Sequence, residues 1–418
     1  MADVYDRWHL SRPPKGLAPC SHGTAATPKY PSTDHGEGKR WQVRYRDAGG
    51  RQRKENFDKK TTADTRANAV GSELDRGTYV DPATAKISFR AYTEDWRSTR
   101  VHDVNTAARI ERQMRLHVYP ALGDRTMREL AARPSLCQTW ISGLTLAPSS
   151  ANQVINDVSA VFTAAAADGL ISRNPIRTSS VRKPTVTKVR PEPLSLEQLV
   201  AMTEALAGRP DTARWSVVPD LGAGTGGRQG ELFGVDVDES LDFLRRAVHI
   251  VRQIKIVGST PVFAPVKNNK PHDAPLPDAL AAALSEHIRE YPPVPVTLPW
   301  KEPDGKPVTY RLLLTTAQGG AVTRDRFNRA WHAALKRAGI PVHRRNGMHV
   351  LRHTAASTWL EGGVSITTVA DALGDTVATV SATYAHKLPS GPELARKVMN
   401  EFLSGQRSAL DVPSRESV

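Results

Sequence analysis

Near the end of the chain, in His349-Val-Leu-Arg352-His353-Thr354, a histidine and an arginine stand three residues apart, and an isolated tyrosine follows in Thr383-Tyr384-Ala385-His386. Side chains three apart share a helix face, roughly 5–6 Å between Cβ atoms. A helix here lets both groups reach one phosphate, which is the layout for gripping and attacking a phosphodiester. Leu351, Ala355 and Trp359 recur at i, i+4 and i+8 and supply the apolar stripe, leaving His349 and Arg352 on another face. Gly362-Gly363 ends that helix. The next helix carries Ile366, Val369 and Leu373 and stops at Gly374. Val377, Val380 and Tyr384 share a further stripe. Periodicity alone makes Tyr384 a core residue with its hydroxyl at the edge.

At 418 residues the chain is expected to fold as two or three domains. Its net charge of +14 is clustered, which points to a polyanionic partner, most simply nucleic acid. The two cysteines, Cys20 and Cys137, lie in different segments; no disulfide framework follows, and a reducing cytoplasm fits. The N-terminus has no apolar signal core, and no run of about 18 apolar residues occurs, so a soluble protein away from membranes is expected. Cys20, His22 and His35 invite a zinc reading, yet no CxxC or HxxxH spacing supports it, and no metal is expected.

The chain reads as multidomain and mainly α. Residues 1–38, rich in Pro, Gly, Ser, Thr and His, read as irregular. Residues 39–82 begin with Trp41, Val43 and Tyr45 alternating with Gln42, Arg44 and Arg46, a half-buried strand. A turn at Asp47-Ala-Gly-Gly50, a second strand at Arg51–Phe57 and a helix at Thr61–Arg76, stopped at Gly77, complete a small sheet with a helix across its back. Its exposed face is expected to carry Arg44, Arg46, Arg51, Arg53 and Lys54, a surface for a DNA groove. Beyond a break at Asp81-Pro82, residues 86–172 read as a four-helix unit. Its core is drawn from Phe89, Tyr92, Trp96, Ile110, Met114, Leu116 to Val118, Leu130, Trp140, Ile141, Val154, Ile155, Val158, Val161 and Phe162. Residues 173–194 form a basic, proline-spaced linker with Arg173, Arg177, Arg182, Lys183, Lys188 and Arg190, either laid along a phosphate backbone or simply solvated. The last domain, 195–403, opens on the capping-box pair Ser195 and Gln198. Helices dominate it, with one interruption at 247–276 that reads as three antiparallel strands. A polar tail, 404–418, follows.

Upstream, Thr225-Gly-Gly-Arg228-Gln-Gly-Glu231-Leu offers another arginine, with glycines that let the backbone turn tightly and Glu231 placed to brace the guanidinium. This box, together with His349 to Thr354 and Thr383 to His386, resembles the tyrosine recombinase (phage integrase) family across roughly residues 86–390. The family's lysine, carried on a β-hairpin, falls at Lys267 of Pro265-Val-Lys-Asn-Asn-Lys270, with Lys270 the poorer match. The helical unit resembles the family's core-binding domain and the N-terminal sheet its arm-binding domain. One box departs: Leu373-Gly374-Asp375 has aspartate where the family has histidine or tryptophan. Two like unit charges 4 Å apart repel by about 4 kcal/mol at an intermediate dielectric. Asp375 must therefore turn away or pair with a cation, and Thr376 or His386 could supply the lost hydrogen bond.

The resemblance implies that Arg228 and Arg352 clamp the phosphate, that His349 hydrogen-bonds it and takes the tyrosine proton, that Tyr384 attacks to give a 3′-phosphotyrosyl bond, and that Lys267 protonates the leaving 5′ oxygen. No P-loop and no cluster of metal-ligand carboxylates occurs, and no cofactor is expected. The implied partners are double-stranded DNA at attachment sites, three further copies in a homotetramer on that DNA, and an excisionase or DNA-bending protein; the implied place is the nucleoid of the cytoplasm. Two alternatives share the site: a type IB topoisomerase-like DNA-relaxing enzyme, which the basic N-terminal sheet disfavours, and a non-catalytic, DNA-binding integrase remnant disabled at Asp375.

Overall fold

The computed structural model describes residues 2–47, 50–75, 86–187, 192–387, 396 and 399–403. The chain divides into two units, Met1–Thr187 and Lys188–Val418. Gly77, the break at Asp81-Pro82, Lys188 and Arg190 of the linker, and the tail 404–418 lie outside the described residues.

Period-two alternation builds the first sheet. Strands β1 (Asp3–Asp6), β2 (Trp41–Arg46) and β3 (Gln52–Phe57) pair antiparallel in the order β1-β2-β3. Ordered structure thus begins at Asp3 and not at Trp41: part of the segment read as irregular supplies an edge strand, with Val4 opposite Val43. Helix α1 (Lys60–Asp75) sets Ala63, Ala67 and Val70 against Val43 and Tyr45, spacings of four and three that keep one small-residue face inward. On the other face Arg44 lies opposite Lys54, and Arg46 opposite Gln52. Arg53 is not there. It pairs in register with Tyr45 on the helix-facing side, and its Nε donates to Asp47 at 2.9 Å. The basic face therefore keeps Arg44, Arg46 and Lys54, with Arg51 exposed in the turn before β3.

Six helical segments follow: α2 (Phe89–Ser98), α3 (Val104–Gln113), α4 (Tyr119–Leu122), α5 (Met127–Ala132), α6 (Pro134–Ser142) and α7 (Pro148–Ala167). They resolve the four expected helices. A π turn at Met114–Val118 joins α3 to α4, and Pro134 opens α6 directly behind α5. The expected aromatic and aliphatic residues form the core, with Phe89 and Phe162 rings 5.2 Å apart. Leu116 is the exception, facing solvent from the π turn. The first half of the expected linker is not a free tether either. Ile176 and Val181 join this core, and Asn152 Nδ2 donates to the Pro184 carbonyl at 2.8 Å. Of the linker cations, Lys183 donates to Asn156 at 2.8 Å, and Arg182 is exposed.

The second unit opens with α8 (Leu196–Ala207), closed at its start by the full Ser195/Gln198 capping box. Then come α9 (Val218–Thr225) and α10 (Gln229–Phe233). Strands β4 (Leu241–Asp242), β5 (Ala247–Ile250), β6 (Arg252–Val257), β7 (Thr260–Pro265) and β8 (His272–Pro275) follow, then α11 (Asp278–Glu290), β9 (Val294–Pro299) and β10 (Pro307–Leu312). The helices α12 (Arg324–Arg337), α13 (His349–Glu361), α14 (Ile366–Ala372) and α15 (Val377–Tyr384) complete it. The interruption at 247–276 is four strands in two sheets, β4-β5-β8 and the hairpin β6-β7. A second hairpin, β9-β10, was not anticipated; its prolines at 295, 299 and 307 mask an alternation in which Val296 is buried. Helix α13 is buried on nearly every side, including Val350, Leu351, Arg352, Ala355, Ala356 and Leu360, so the single expected stripe was too narrow. It lies against α9, where a Cβ at Gly222 would come within 2.5 Å of Leu351. Small residues on α9 are what allow that approach.

Candidate active site

Helix α9 ends in a left-handed residue, Gly226, with φ of 67°. A Cβ there would meet Leu373 Cδ2 at 2.4 Å, so this glycine satisfies both the turn and the packing of the α14 end above it. The turn delivers Arg228 to the start of α10. Its backbone N–H donates to Glu231 Oε2 at 2.8 Å, and its Nη1 donates to Glu231 Oε1 at 2.9 Å. Glu231 is 1% exposed, so the guanidinium is held by an anchor that cannot move far.

Arg352 comes from α13 and is itself only 3% exposed. Its Nη1 donates to the Gly226 carbonyl at 2.9 Å and its Nη2 donates to Asp375 Oδ2. Arg228 Nη2 donates to the same Oδ2 at 3.1 Å. Two guanidiniums from segments 124 residues apart, α10 and α13, thus converge on one oxygen. Burial lowers the pKa of Arg352, Arg228 beside it acts the same way, and Asp375 opposes both. The aspartate is thereby explained: it pairs with both cations. Gly374, at φ 59°, makes the turn from α14 that aims it, and the Asp375 N–H donates to Ala370 at 2.9 Å. Thr376 caps α15: its Oγ1 accepts from Thr379 N–H at 3.2 Å and lies 2.9 Å from Thr379 Oγ1. His386 stands exposed on the turn after α15, and Lys267 is exposed on the turn after β7.

Tyr384 closes α15. Its ring belongs to a small cluster with Ala356, Leu360, Val369, Leu373 and Val380, and it is 5% exposed. The ring thus fills the core position that its stripe predicts. The hydroxyl lies 2.5 Å from His353 Nδ1. His349, expected on that proton, instead sets its ring edge-on to His353 with centroids 4.7 Å apart. The i, i+4 relation stacks the two imidazoles on one helix face and hands the hydroxyl to the second. Burial, with Arg352 helping and Asp375 opposing ionisation, pushes the tyrosine up to about 12. Burial, His349 and Arg352 push His353 down to about 4, so at neutral pH the ring is uncharged. His349 reaches solvent at its edge, yet crowding around the ring and then Arg352 and Arg228 lower its pKa too.

One further group was missed. His272 on β8 is buried, and a Cβ at Gly374 would strike its Nδ1 at 2.3 Å. Neither ring nitrogen meets a partner with hydrogen-bond geometry among the described residues. Burial lowers its pKa, Arg352 and Arg228 add to that, and Glu231 and the Lys270 backbone oppose it. The signal was present: His272 continues inward the alternation of Ala274 and Leu276. His353 was legible as well, inside the His349–Thr354 box, though no role had been attached to it.

Residues 192–390 match the phage integrase family. A XerC-like tyrosine recombinase of Caldanaerobacter subterraneus subsp. tengcongensis is 26% identical over 269 residues, 59% of this chain and 64% of that protein, so this chain spans just under two thirds of its length. The integrase of Mycobacterium phage D29 is 26% identical over 328 residues, 77% of this chain and 80% of that one. Among solved structures, the Tn1549 transposon integrase in complex with a circular intermediate DNA superposes with a TM-score of 0.61 at 19% identity, covering 74% of this chain and 98% of that one; it supports the fold. Residues 192–390 thus match the phage integrase family model, and the chain is similar to tyrosine recombinases and phage integrases.

Proposed function

We propose that this protein is the integrase of a mobile element, cutting and rejoining double-stranded DNA through a 3′-phosphotyrosyl intermediate. The observation that carries the reading is the convergence of Arg228 and Arg352 on one anionic oxygen, with a tyrosine hydroxyl beside them bonded to the histidine next to Arg352. In the free protein Asp375 fills the anionic position. On DNA, a non-bridging phosphate oxygen competes for the same donors, whose fork geometry suits it. Tyr384 leaves its cluster, gives its proton to neutral His353 or to a group His353 relays to, and attacks phosphorus. The bond to the 5′ oxygen breaks, and Lys267 supplies that oxygen's proton from its exposed turn. Reversal by a partner strand's 5′ hydroxyl restores a phosphodiester and frees Tyr384.

Each chain carries one such tyrosine. Exchange between two duplexes cuts four strands, which calls for four copies assembled on the DNA. The basic β-face with Arg44, Arg46 and Lys54 is suited to a second, accessory DNA site, with Arg51 at its edge and Arg182 and Lys183 on the other side of the helical unit's sequence. That face, and a match to a phage integrase over more of the chain than to a XerC-like recombinase, favour a mobile-element role over chromosome maintenance.

The test is a nicked suicide substrate carrying a core site, with covalent adducts mapped by mass spectrometry. Wild-type protein traps on the 3′ phosphate through Tyr384, and Tyr384→Phe binds the DNA but traps none. An adduct in Tyr384→Phe excludes this nucleophile. Asp375, by occupying both arginines, favours one second reading, a DNA-binding remnant without catalysis; absence of any wild-type adduct on cognate DNA supports it. Supercoil relaxation without a second site would instead favour the topoisomerase-like activity.

A further inference from the structure

Between β1 and β2 the chain runs for more than thirty residues without a helix, and no apolar residue before Val43 is buried among those described. Such a segment has no core to hold its path. Four side chains nevertheless meet at one point. His9 Nε2 is 3.2 Å from Cys20 Sγ, Cys20 Sγ is 3.7 Å from His22 Nδ1, and His22 Nδ1 is 3.2 Å from His35 Nε2. All four atoms lie within 4.8 Å of one another. We propose that this cluster is a structural Zn²⁺ site, with His9 Nε2, Cys20 Sγ, His22 Nδ1 and His35 Nε2 as its ligands.

The chemistry of the donors selects the ion. One thiolate and three imidazoles form a tetrahedral N/S set of the kind zinc takes. With zinc–nitrogen and zinc–sulfur bonds of about 2.0 and 2.3 Å, the edges of such a tetrahedron are roughly 3.3–3.5 Å, and the three neighbouring separations above, 3.2, 3.7 and 3.2 Å, lie within a few tenths of an ångström of that. Four protein ligands close the coordination sphere, which marks a structural site and not a catalytic one.

The surroundings supply what a ligating histidine needs. His9 Nδ1 donates to Asp6 Oδ2 at 2.9 Å, which leaves the Nε2 lone pair facing Cys20. Arg40 Nη2 in turn donates to Asp6 Oδ2 at 2.8 Å, so the carboxylate that orients the ring is itself fixed. Trp8 covers the cluster, its ring 5.7 Å from His22 and 6.1 Å from His35. Backbone bonds bring the ligands in from separate turns: Cys20 N–H donates to Lys29 at 2.7 Å and Ser32 N–H to Trp8 at 2.9 Å. The proposal departs from the expectation of no metal for a simple reason. That expectation counted spacings along the chain, and these ligands, at 9, 20, 22 and 35, become neighbours only through the fold.

The experiment uses the full chain, purified without a polyhistidine tag, with zinc measured by plasma mass spectrometry and the site probed by Co²⁺. One zinc per chain is expected. Exchange for Co²⁺ should give tetrahedral d–d bands and a thiolate-to-cobalt charge-transfer band. Cys20→Ser should remove the charge-transfer band, Cys20→Ser/His35→Ala should lower bound metal at least tenfold, and His102→Ala, outside the cluster, should change neither. The wild-type cobalt spectrum reads the site even if a variant folds poorly. A wild-type chain that stays metal-free after incubation with Zn²⁺, a cobalt spectrum lacking the thiolate band, or metal undiminished in the double variant overturns the proposal.

Discussion

Around Asp375, charged side chains are packed into a domain with an extensive apolar core; around Cys20, imidazoles and a thiol gather where no apolar core exists. In the first region, hydrophobic burial sets the backbone, and the backbone sets the charges. Arg228, Glu231 and Arg352 are held by helices that would stand without them. In the second, the order is reversed: the polar groups must hold the chain. Each region is therefore vulnerable in its own way. The catalytic unit should respond to changes of charge inside a rigid frame, whereas the N-terminal segment should respond to loss of any one ligand as a loss of structure.

The sharpest break in that contrast is Arg352→Ala. It removes a buried cation, leaves the Gly226 carbonyl without that donor and leaves Asp375 paired with Arg228 alone. Leaving a buried carbonyl without its donor costs about 1–3 kcal/mol, and losing one transition-state donor costs on the order of 10²–10³ in rate. Cleavage should therefore fall at least that far while affinity for DNA falls much less. Thermal melting and suicide-substrate kinetics read the two effects. Equal losses in binding and cleavage would make Arg352 a backbone anchor.

Acid should be the next largest stress on the catalytic unit. His353 is about 4 in the folded chain against an ordinary value of 6.5, and His349 and His272 move the same way. Below pH 6.5 the unfolded chain takes up protons that the folded site refuses. Stability is thus complete above pH 6.5 and is lost as pH falls towards 4. The His353 share, discounted for its partly exposed ring, is on the order of 1–2 kcal/mol. Urea midpoints measured from pH 7.5 to 4.5 should fall steadily, and His353→Gln should flatten part of the slope. An unchanged slope would mean that His353 is open to solvent.

Asp375→Asn should produce a smaller, divided effect. Two guanidiniums lose their shared anion, so the free protein should melt lower. The phosphate, however, no longer has to displace a carboxylate. Because a charge-assisted hydrogen bond contributes about 1.5–3 kcal/mol, core-site cleavage should rise by roughly tenfold. If cleavage falls instead, Asp375 positions the arginines and does not compete with the substrate.

What the sequence disclosed follows the same division. Arg228, Glu231, Arg352 and Tyr384 were legible because local rules act on them: glycines before a turn, a helix spacing of three, a stripe that ends in tyrosine. The Ser195 cap and the aromatic core of α2 to α7 were legible for the same reason. Relations across the fold were not. Nothing local places Asp375 on two arginines, turns His272 towards Gly374 or hands the tyrosine proton to His353 rather than His349. The cluster at 9, 20, 22 and 35 is the extreme case, since its contacts cross loops that have no periodicity to read.

The finest test separates two arginines a strand apart. Arg44 lies on the outer face opposite Lys54, stacked over Tyr5 at 4.6 Å, whereas Arg53 lies on the helix side and is neutralised by Asp47. A cation already paired releases no counterion when DNA binds; one facing the phosphates releases about 0.9. Arg44→Gln should therefore reduce the salt slope of accessory-site binding by about one, and Arg53→Gln should leave the slope in place. Titrations from low to moderate salt decide it. Equal slopes for the two variants would show that DNA does not reach this face, and that the sheet serves to carry the cluster at its edge.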